Sequence, residues 1–290
     1  MNRRQFTKQT AMASAMVSVS SIPGFTGIME PPARINKKGI MWGSLRVGTT
    51  IAEKFQAAKL AGFDGVEANS HMDRSEVLKA RDATGLPIPS VCNDRHWKFL
   101  LSDTDPKIRE QGVEALRLSL EDAKAYGADT VLLVPGRVTA AVSYDVCWKR
   151  SIEEIKKVIP LAEKLKVKIA IENVGNNFLM SPMEAAEYVD QFRSPIIGFY
   201  FDTGNNISFS WPEQWIRILG KRIAKIHIKD GTRKPGERVK LGEGEVNWAE
   251  IMKAVDEIGY QGWTTIEYPG GDTPEGLKDL CDRLVKILAS

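Results

Sequence analysis

Ile197-Gly198-Phe199-Tyr200-Phe201-Asp202, then an amphipathic stretch over 212–219, then Ala224-Lys225-Ile226-His227: this run of the sequence decides the fold. Two short apolar segments rich in β-branched and aromatic residues flank one of helical period, which makes a strand–helix–strand unit with parallel neighbours. Trp211-Pro212 places proline in the first helical turn, where its missing N–H costs nothing. Working outward, the same alternation covers the chain from residue 39 to its end. Strands are expected at 39–42, 65–67, 88–92, 130–134, 168–172, 197–202, 224–227 and 264–267. Helices are expected at 51–61, 74–84, 106–126, 145–166, 182–192, 212–219, 248–258 and 274–288. Gly62, Gly127 and Gly259 sit just past three of these helices, where a left-handed residue ends a helix. Eight such units in about 250 residues predict an α/β chain folded as a single-domain (β/α)8 TIM barrel. A doubly wound open sheet is the runner-up, but no GxGxxG follows the first strand and no phosphate loop is present.

The first 29 residues are of another kind. Asn2-Arg3-Arg4-Gln5-Phe6-Thr7-Lys8 precedes a mildly apolar Ala/Ser/Met stretch from Thr10 to Val19, and Pro23-Gly24 breaks it. This pattern reads as a twin-arginine (Tat) signal peptide and disordered leader over 1–29, with the barrel domain at 30–290. The expectations that follow are passage through the Tat translocase, a periplasmic location and no stable membrane anchor. Arg3, Arg4 and Lys8 account for the formal charge of +3 on the whole chain. A neutral remainder offers no electrostatic footprint for nucleic acid. Cys92, Cys147 and Cys281 are an odd, scattered set, so neither a zinc motif nor a structural disulfide is expected.

Four expected strands end in metal-ligand side chains: Glu172, Asp202, His227 and Glu267. The strand ends of a parallel barrel converge on one mouth, and buried unpaired charges cost several kcal/mol each. Four unrelated ion pairs at a barrel rim are the plainer alternative, but four such ends in succession point to a divalent cation. Three carboxylates and an imidazole form a hard site suited to Mn²⁺, with Mg²⁺, Co²⁺ or Zn²⁺ as alternatives.

The chain resembles the sugar phosphate isomerase/epimerase superfamily of xylose isomerase-like barrels. The resemblance rests on Gly62-Phe63-Asp64-Gly65-Val66-Glu67, Ile171-Glu172-Asn173, Phe201-Asp202-Thr203-Gly204-Asn205, Ile226-His227-Ile228-Lys229-Asp230, the segment Gly242 to Trp248, and Ile266-Glu267. It implies that Glu172, Asp202, His227 and Glu267 hold one metal ion, and that Glu172 and Glu267 are the catalytic acid and base. The implied activity is that of a metal-dependent sugar epimerase or isomerase. One glutamate takes a proton beside the carbonyl of a ketose to give a cis-enediolate, and the other returns a proton on the opposite face. A 3-keto-glycoside lyase or hydratase of the same barrel family is the alternative.

Two positions depart from the family. Asn205 stands where many relatives have histidine, and Phe178 stands where the free-ketose 3-epimerases have a second glutamate. Both features resemble the pentulose-phosphate branch, whereas a periplasmic location favours an unphosphorylated sugar. Expected substrate contacts are Glu67, His96, Trp97, Asn205, Lys229 and Arg233. His71 is expected to be a solvated loop residue, and Asp230 to hold the His227 tautomer. An abasic-site endonuclease would need several histidines, and the chain has 3. A Schiff-base aldolase using Lys229 and a non-catalytic sugar-binding protein complete the field. A homo-oligomer is compatible with the sequence.

Overall fold

Thr50, Asp73, Asp105, Ser181, Asn247 and Thr273 each accept a backbone N–H from the first turn that follows, and these caps fix where six helices begin. The computed structural model describes residues 37–234 and 236–290, so the leader expected over 1–29 lies outside the described residues. The strands are β1 Lys37–Met41, β2 Gly65–Asn69, β3 Val91–Cys92, β4 Thr130–Leu133, β5 Lys168–Glu172, β6 Ile197–Asp202, β7 Ile223–Ile228 and β8 Trp263–Ile266. The helices are α1 Ile51–Ala61, α2 Arg74–Thr84, α3 Pro106–Tyr126, α4 Tyr144–Lys156, α5 Ile159–Leu165, α6 Pro182–Asp190, α7 Pro212–Leu219, α8 Trp248–Glu257 and α9 Pro274–Leu288. Each strand pairs in parallel with its sequence neighbour and β8 pairs with β1, closing a single-domain (β/α)8 barrel.

Strand alternation splits the core in two. One set of side chains, among them Ile40, Val66, Ala68, Ile171 and Phe201, packs outward against the helices with Phe55, Trp215 and Leu277. The other set fills the barrel and includes Cys92, Leu132, Ala170 and Tyr200. Each fully buried large apolar side chain contributes about 1.5–3 kcal/mol relative to exposure. All three cysteines are buried and free. No helix among the described residues is long and apolar enough to cross a membrane.

Several element ends shift by one or two residues from expectation, and proline accounts for the two largest differences. The ladder of β3 is two residues long because Pro87 and Pro89 have no N–H to donate. The single helix expected over 145–166 is two, α4 and α5, because Pro160 cannot continue the hydrogen-bond ladder from the preceding turn. β2 runs two residues past Glu67, to Asn69.

Candidate metal centre and active site

Half of the barrel delivers the site. Glu172 is the last residue of β5, Asp202 the last of β6, His227 lies one residue from the end of β7, and Glu267 follows β8 directly. Register sets them level: Glu172 is opposite Tyr200, Asp202 opposite His227, and His227 opposite Thr265. The Glu267 N–H donates to the Ile228 carbonyl at 3.2 Å, which carries the ladder one residue past β8. One donor atom from each of the four residues lies within 4.8 Å of the other three. That span is what a single cation with bonds of about 2.0–2.4 Å reaches.

His227 is the hub. Its Nδ1 stands 2.9 Å from Glu172 Oε1 and 3.4 Å from Glu267 Oε2, and its Nε2 stands 3.0 Å from Glu67 Oε1. Lys229 Nζ lies 3.3 Å from Glu267 Oε2 and 3.8 Å from Asp202 Oδ2. Burial pushes Glu172 up to about 7 and Asp202 up to about 8, with Lys229 pulling Asp202 part of the way back. Burial also opposes charge on His227, but Glu67, Glu172 and Glu267 together hold its imidazole well above the usual range. Glu267 shifts the other way: burial would raise it, yet the His227 and Lys229 charges beside it hold it well below the usual carboxylate range.

These residues fit a divalent cation. Asp202 Oδ2 and Glu267 Oε2 are buried and accept no hydrogen bond among the described residues. Burial keeps Glu172 and Asp202 largely protonated when no cation is bound, and a divalent ion would replace those protons and offset the charge of both carboxylates. Glu67 sets the ligand geometry from below. Once a cation replaces the Nδ1 proton, Nε2–H donating to Glu67 would hold the ring in the tautomer whose Nδ1 lone pair faces the other three donors.

Several expected contacts are corrected. Glu67, expected at the substrate, is fully buried, and its second oxygen accepts from Ser90 Oγ and Tyr200 OH at 2.5 Å each, which places it in support of His227. Asp230 does not touch His227; it accepts the N–H groups of Gly231, Gly242 and Gly244 and folds the β7–α8 loop. His71 is not solvated, since its side chain is 7% exposed and Nδ1 lies 2.6 Å from Ser70 Oγ. Phe178 is enclosed by Tyr144, Trp148 and Tyr188 and offers no acid or base.

The remaining candidates divide by position. Lys229 joins the four ligands. Asn205 lies beside them: its N–H donates to Asp202 Oδ1 at 2.7 Å and its Nδ2 to the Asn173 carbonyl at 2.8 Å. His96 is buried, accepts the Val134 N–H at Nδ1, and is held by burial down at about 4, so it is neutral near pH 7. Trp97 is 43% exposed on the loop after β3, its edge against His96 and the Arg137 guanidinium 5.1 Å from its ring. Arg233 stacks on Trp211 at 4.6 Å; among the described residues neither it nor Trp97 contacts the four ligands. Sequence reasoning missed Ser90 and Tyr200, which hold Glu67. Only the shared face of Tyr200 and Asp202 on one strand signals the second of them. A cavity of about 930 Å³ at the opposite end of the barrel, floored by the Lys225–Asp129 pair, carries no such cluster of ligands.

The sequence model of the xylose isomerase-like TIM barrel family matches residues 55–287. A curated L-ribulose-5-phosphate 3-epimerase of Escherichia coli O1:K1 is 28% identical over 253 residues, covering 79% of this chain and 86% of that protein. Among solved structures, a D-tagatose 3-epimerase-like protein superposes with a TM-score of 0.74 at 21% identity, over 87% of this chain and 98% of that one. The 3-keto-D-glucoside 4-epimerase of E. coli superposes with a TM-score of 0.73 at 19% identity, over 88% of this chain and 99% of that one. At these identities the two structures establish a shared fold.

Proposed function

The chain belongs to the xylose isomerase-like TIM barrel family, and from that premise we propose that it is a divalent-metal-dependent sugar epimerase acting on a ketose or keto-sugar. The observation that carries this reading is the placement of two carboxylates, Glu172 and Glu267, at 2.9 and 3.4 Å from the same imidazole nitrogen. A cation held by Glu172, Asp202, His227 and Glu267 would supply Lewis acidity that weakens the C–H bond beside a carbonyl. One glutamate takes that proton, and the electron pair moves to the carbonyl oxygen. The other glutamate returns a proton from the opposite face, and the carbon is inverted. Lys229, between Asp202 and Glu267, is placed to donate a hydrogen bond to a sugar oxygen. Curated L-ribulose-5-phosphate 3-epimerases related across 79% of the chain support a 3-epimerase.

The test is incorporation of solvent deuterium into L-ribulose, its 5-phosphate and D-tagatose, with Mn²⁺ and after chelation. We expect exchange at one carbon that chelation abolishes and that Glu172→Gln or Glu267→Gln reduces by at least about a thousandfold. Full retention of hydrogen across the panel would rule the reading out.

One observation favours a second reading. The outer part of Trp97 is exposed beside Arg137, which offers an aromatic face to a second ring. The same proton abstraction on a 3-keto-glycoside, followed by loss of the aglycone, gives a lyase, and mass spectrometry of the released aglycone separates the two. The Arg3-Arg4 motif supports Tat export and a periplasmic site of action, where an unphosphorylated sugar is the available substrate. Export in the folded state allows Mn²⁺ to be loaded before the chain meets competing copper. Changing Arg3 and Arg4 together to lysine is expected to retain the protein in the cytoplasm; an unchanged periplasmic fraction would contradict the export route.

A further inference from the structure

The outer end of β2 carries an inward-facing side chain that the site described above does not use. Along this strand Gly65, Glu67 and Asn69 face the same way. Glu67 shows which way that is, because it reaches His227, Ser90 and Tyr200 inside the barrel. Asn69 also pairs in register with Cys92, which packs inside the barrel against Leu132, Ala170 and Tyr200. Two residues of strand rise place Asn69 about 6.6 Å further along β2 than Glu67, toward the mouth. Its Oδ1 is buried and accepts no hydrogen bond among the described residues. A buried acceptor without a donor destabilises a protein, and such groups persist where a ligand or an ordered water completes them.

The four metal-ligand residues all come from β5–β8. A sugar seated on that side extends across the mouth toward β1–β4, where Asn69 stands on β2 and neutral His96 follows β3. We infer that Asn69 is a specificity-determining residue, its Oδ1 accepting a hydrogen bond from a free hydroxyl of the sugar on the side away from the cation ligands. The inference rests on the epimerase reading and narrows its substrate class to sugars with that hydroxyl unsubstituted. Sites built to bind a hydroxyl discriminate strongly against the analogue that lacks it, because a buried polar group is left unpaired.

The test uses the full chain loaded with Mn²⁺, with solvent-deuterium exchange into L-ribulose, D-tagatose and singly deoxygenated forms of the ketose that exchanges. Asn69→Ala should lower kcat/KM on the intact ketose at least tenfold. On one deoxyketose the wild type and variant should differ by less than twofold, because the hydroxyl that Asn69 reads is gone. The Tm of the variant should be unchanged or higher, since an unpaired buried acceptor has been removed. Asn69→Leu, which fills the space without a polar atom, should behave in the same way. Exchange within twofold of wild type on intact ketoses, an equal defect on every deoxyketose, or a Tm that falls together with activity would each overturn the inference. A wild-type protein that exchanges none of the ketoses would remove the epimerase reading itself and the inference with it. Normal wild-type exchange that is indifferent to Asn69 would remove the inference alone.

Discussion

Glu67 and His227 are 160 residues apart in sequence, yet their contact decides what the imidazole can do. The Glu67 carboxylate accepts Nε2–H and would leave Nδ1 as the ligand atom for a cation that replaces its proton, while Ser90 and Tyr200 keep the carboxylate from turning. Glu67→Gln keeps the shape but weakens this orientation, so Mn²⁺ affinity should fall about 10- to 100-fold with the fold intact. Calorimetric titration of the cation checks this, and an unchanged affinity would remove Glu67 from the metal's support. His96 makes a pH prediction at the same scale. Its folded value, held down at about 4 by burial, lies below the 6.5 of an unfolded histidine. The unfolded chain therefore binds the proton first as pH falls. The resulting contribution is fully present above about 6.5 and is lost as pH drops toward 4, about 3 kcal/mol over the whole window. Denaturant melts from pH 4 to 7 on the protein and on His96→Gln should show a shallower acid limb in the variant.

At the scale of elements, the β7–α8 loop is organised by one side chain. Asp230 accepts the N–H groups of Gly231, Gly242 and Gly244 at 2.8, 2.7 and 3.1 Å, and Glu243 pairs with Arg283 at 2.9 Å. A Cβ at Gly244 would meet Asp230 Oδ1 at 2.2 Å, so glycine is needed for the backbone to come this close. Asp230→Ala removes the carboxylate that these three amides share, and they can then be satisfied by water only if the loop opens. The loop should loosen without unfolding the barrel: tryptic cleavage at Arg233, Arg238 or Lys240 accelerates several-fold while the Tm changes little. A Tm that falls in step with cleavage would show instead that the loop and the barrel melt as one unit. Elements were also where sequence reading was strongest and where proline exposed its limits. Alternation located all eight strands, since a parallel barrel needs a buried apolar run in each. It overran β3, where Pro87 and Pro89 remove donors, and missed the break before Pro160 between α4 and α5. It stopped β2 at Glu67, two residues short of Asn69.

At the scale of the molecule, local pattern shows which side chains lie at strand ends, and barrel closure brings those ends to one mouth. Glu172, Asp202, His227 and Glu267 were legible on that basis. What sits beneath them was not, because the Glu67–His227 and Tyr200–Glu67 contacts cross the barrel interior between strands that share no ladder. The convergence also ties stability to the cation. Without it, burial holds Glu172 at about 7 and Asp202 at about 8, both above their unfolded values near 4. Between those limits the folded state binds more protons than the unfolded chain, so these two groups make the cation-free protein less stable as pH rises through 8; depressed Glu267 opposes the trend only at low pH. A cation would displace the protons and engage the Asp202 and Glu267 oxygens, so it should stabilise more at pH 8.5 than at pH 6. Mn²⁺ at a hundred times its Kd should contribute about 2.7 kcal/mol, or about 5–10 °C in Tm for a domain of this size. Thermal melts with Mn²⁺ and with chelator at both pH values, repeated on Asp202→Asn, measure the effect. A Tm independent of cation, or a shift that survives in Asp202→Asn, would mean that the four strand ends are balanced by Lys229 and His227 alone.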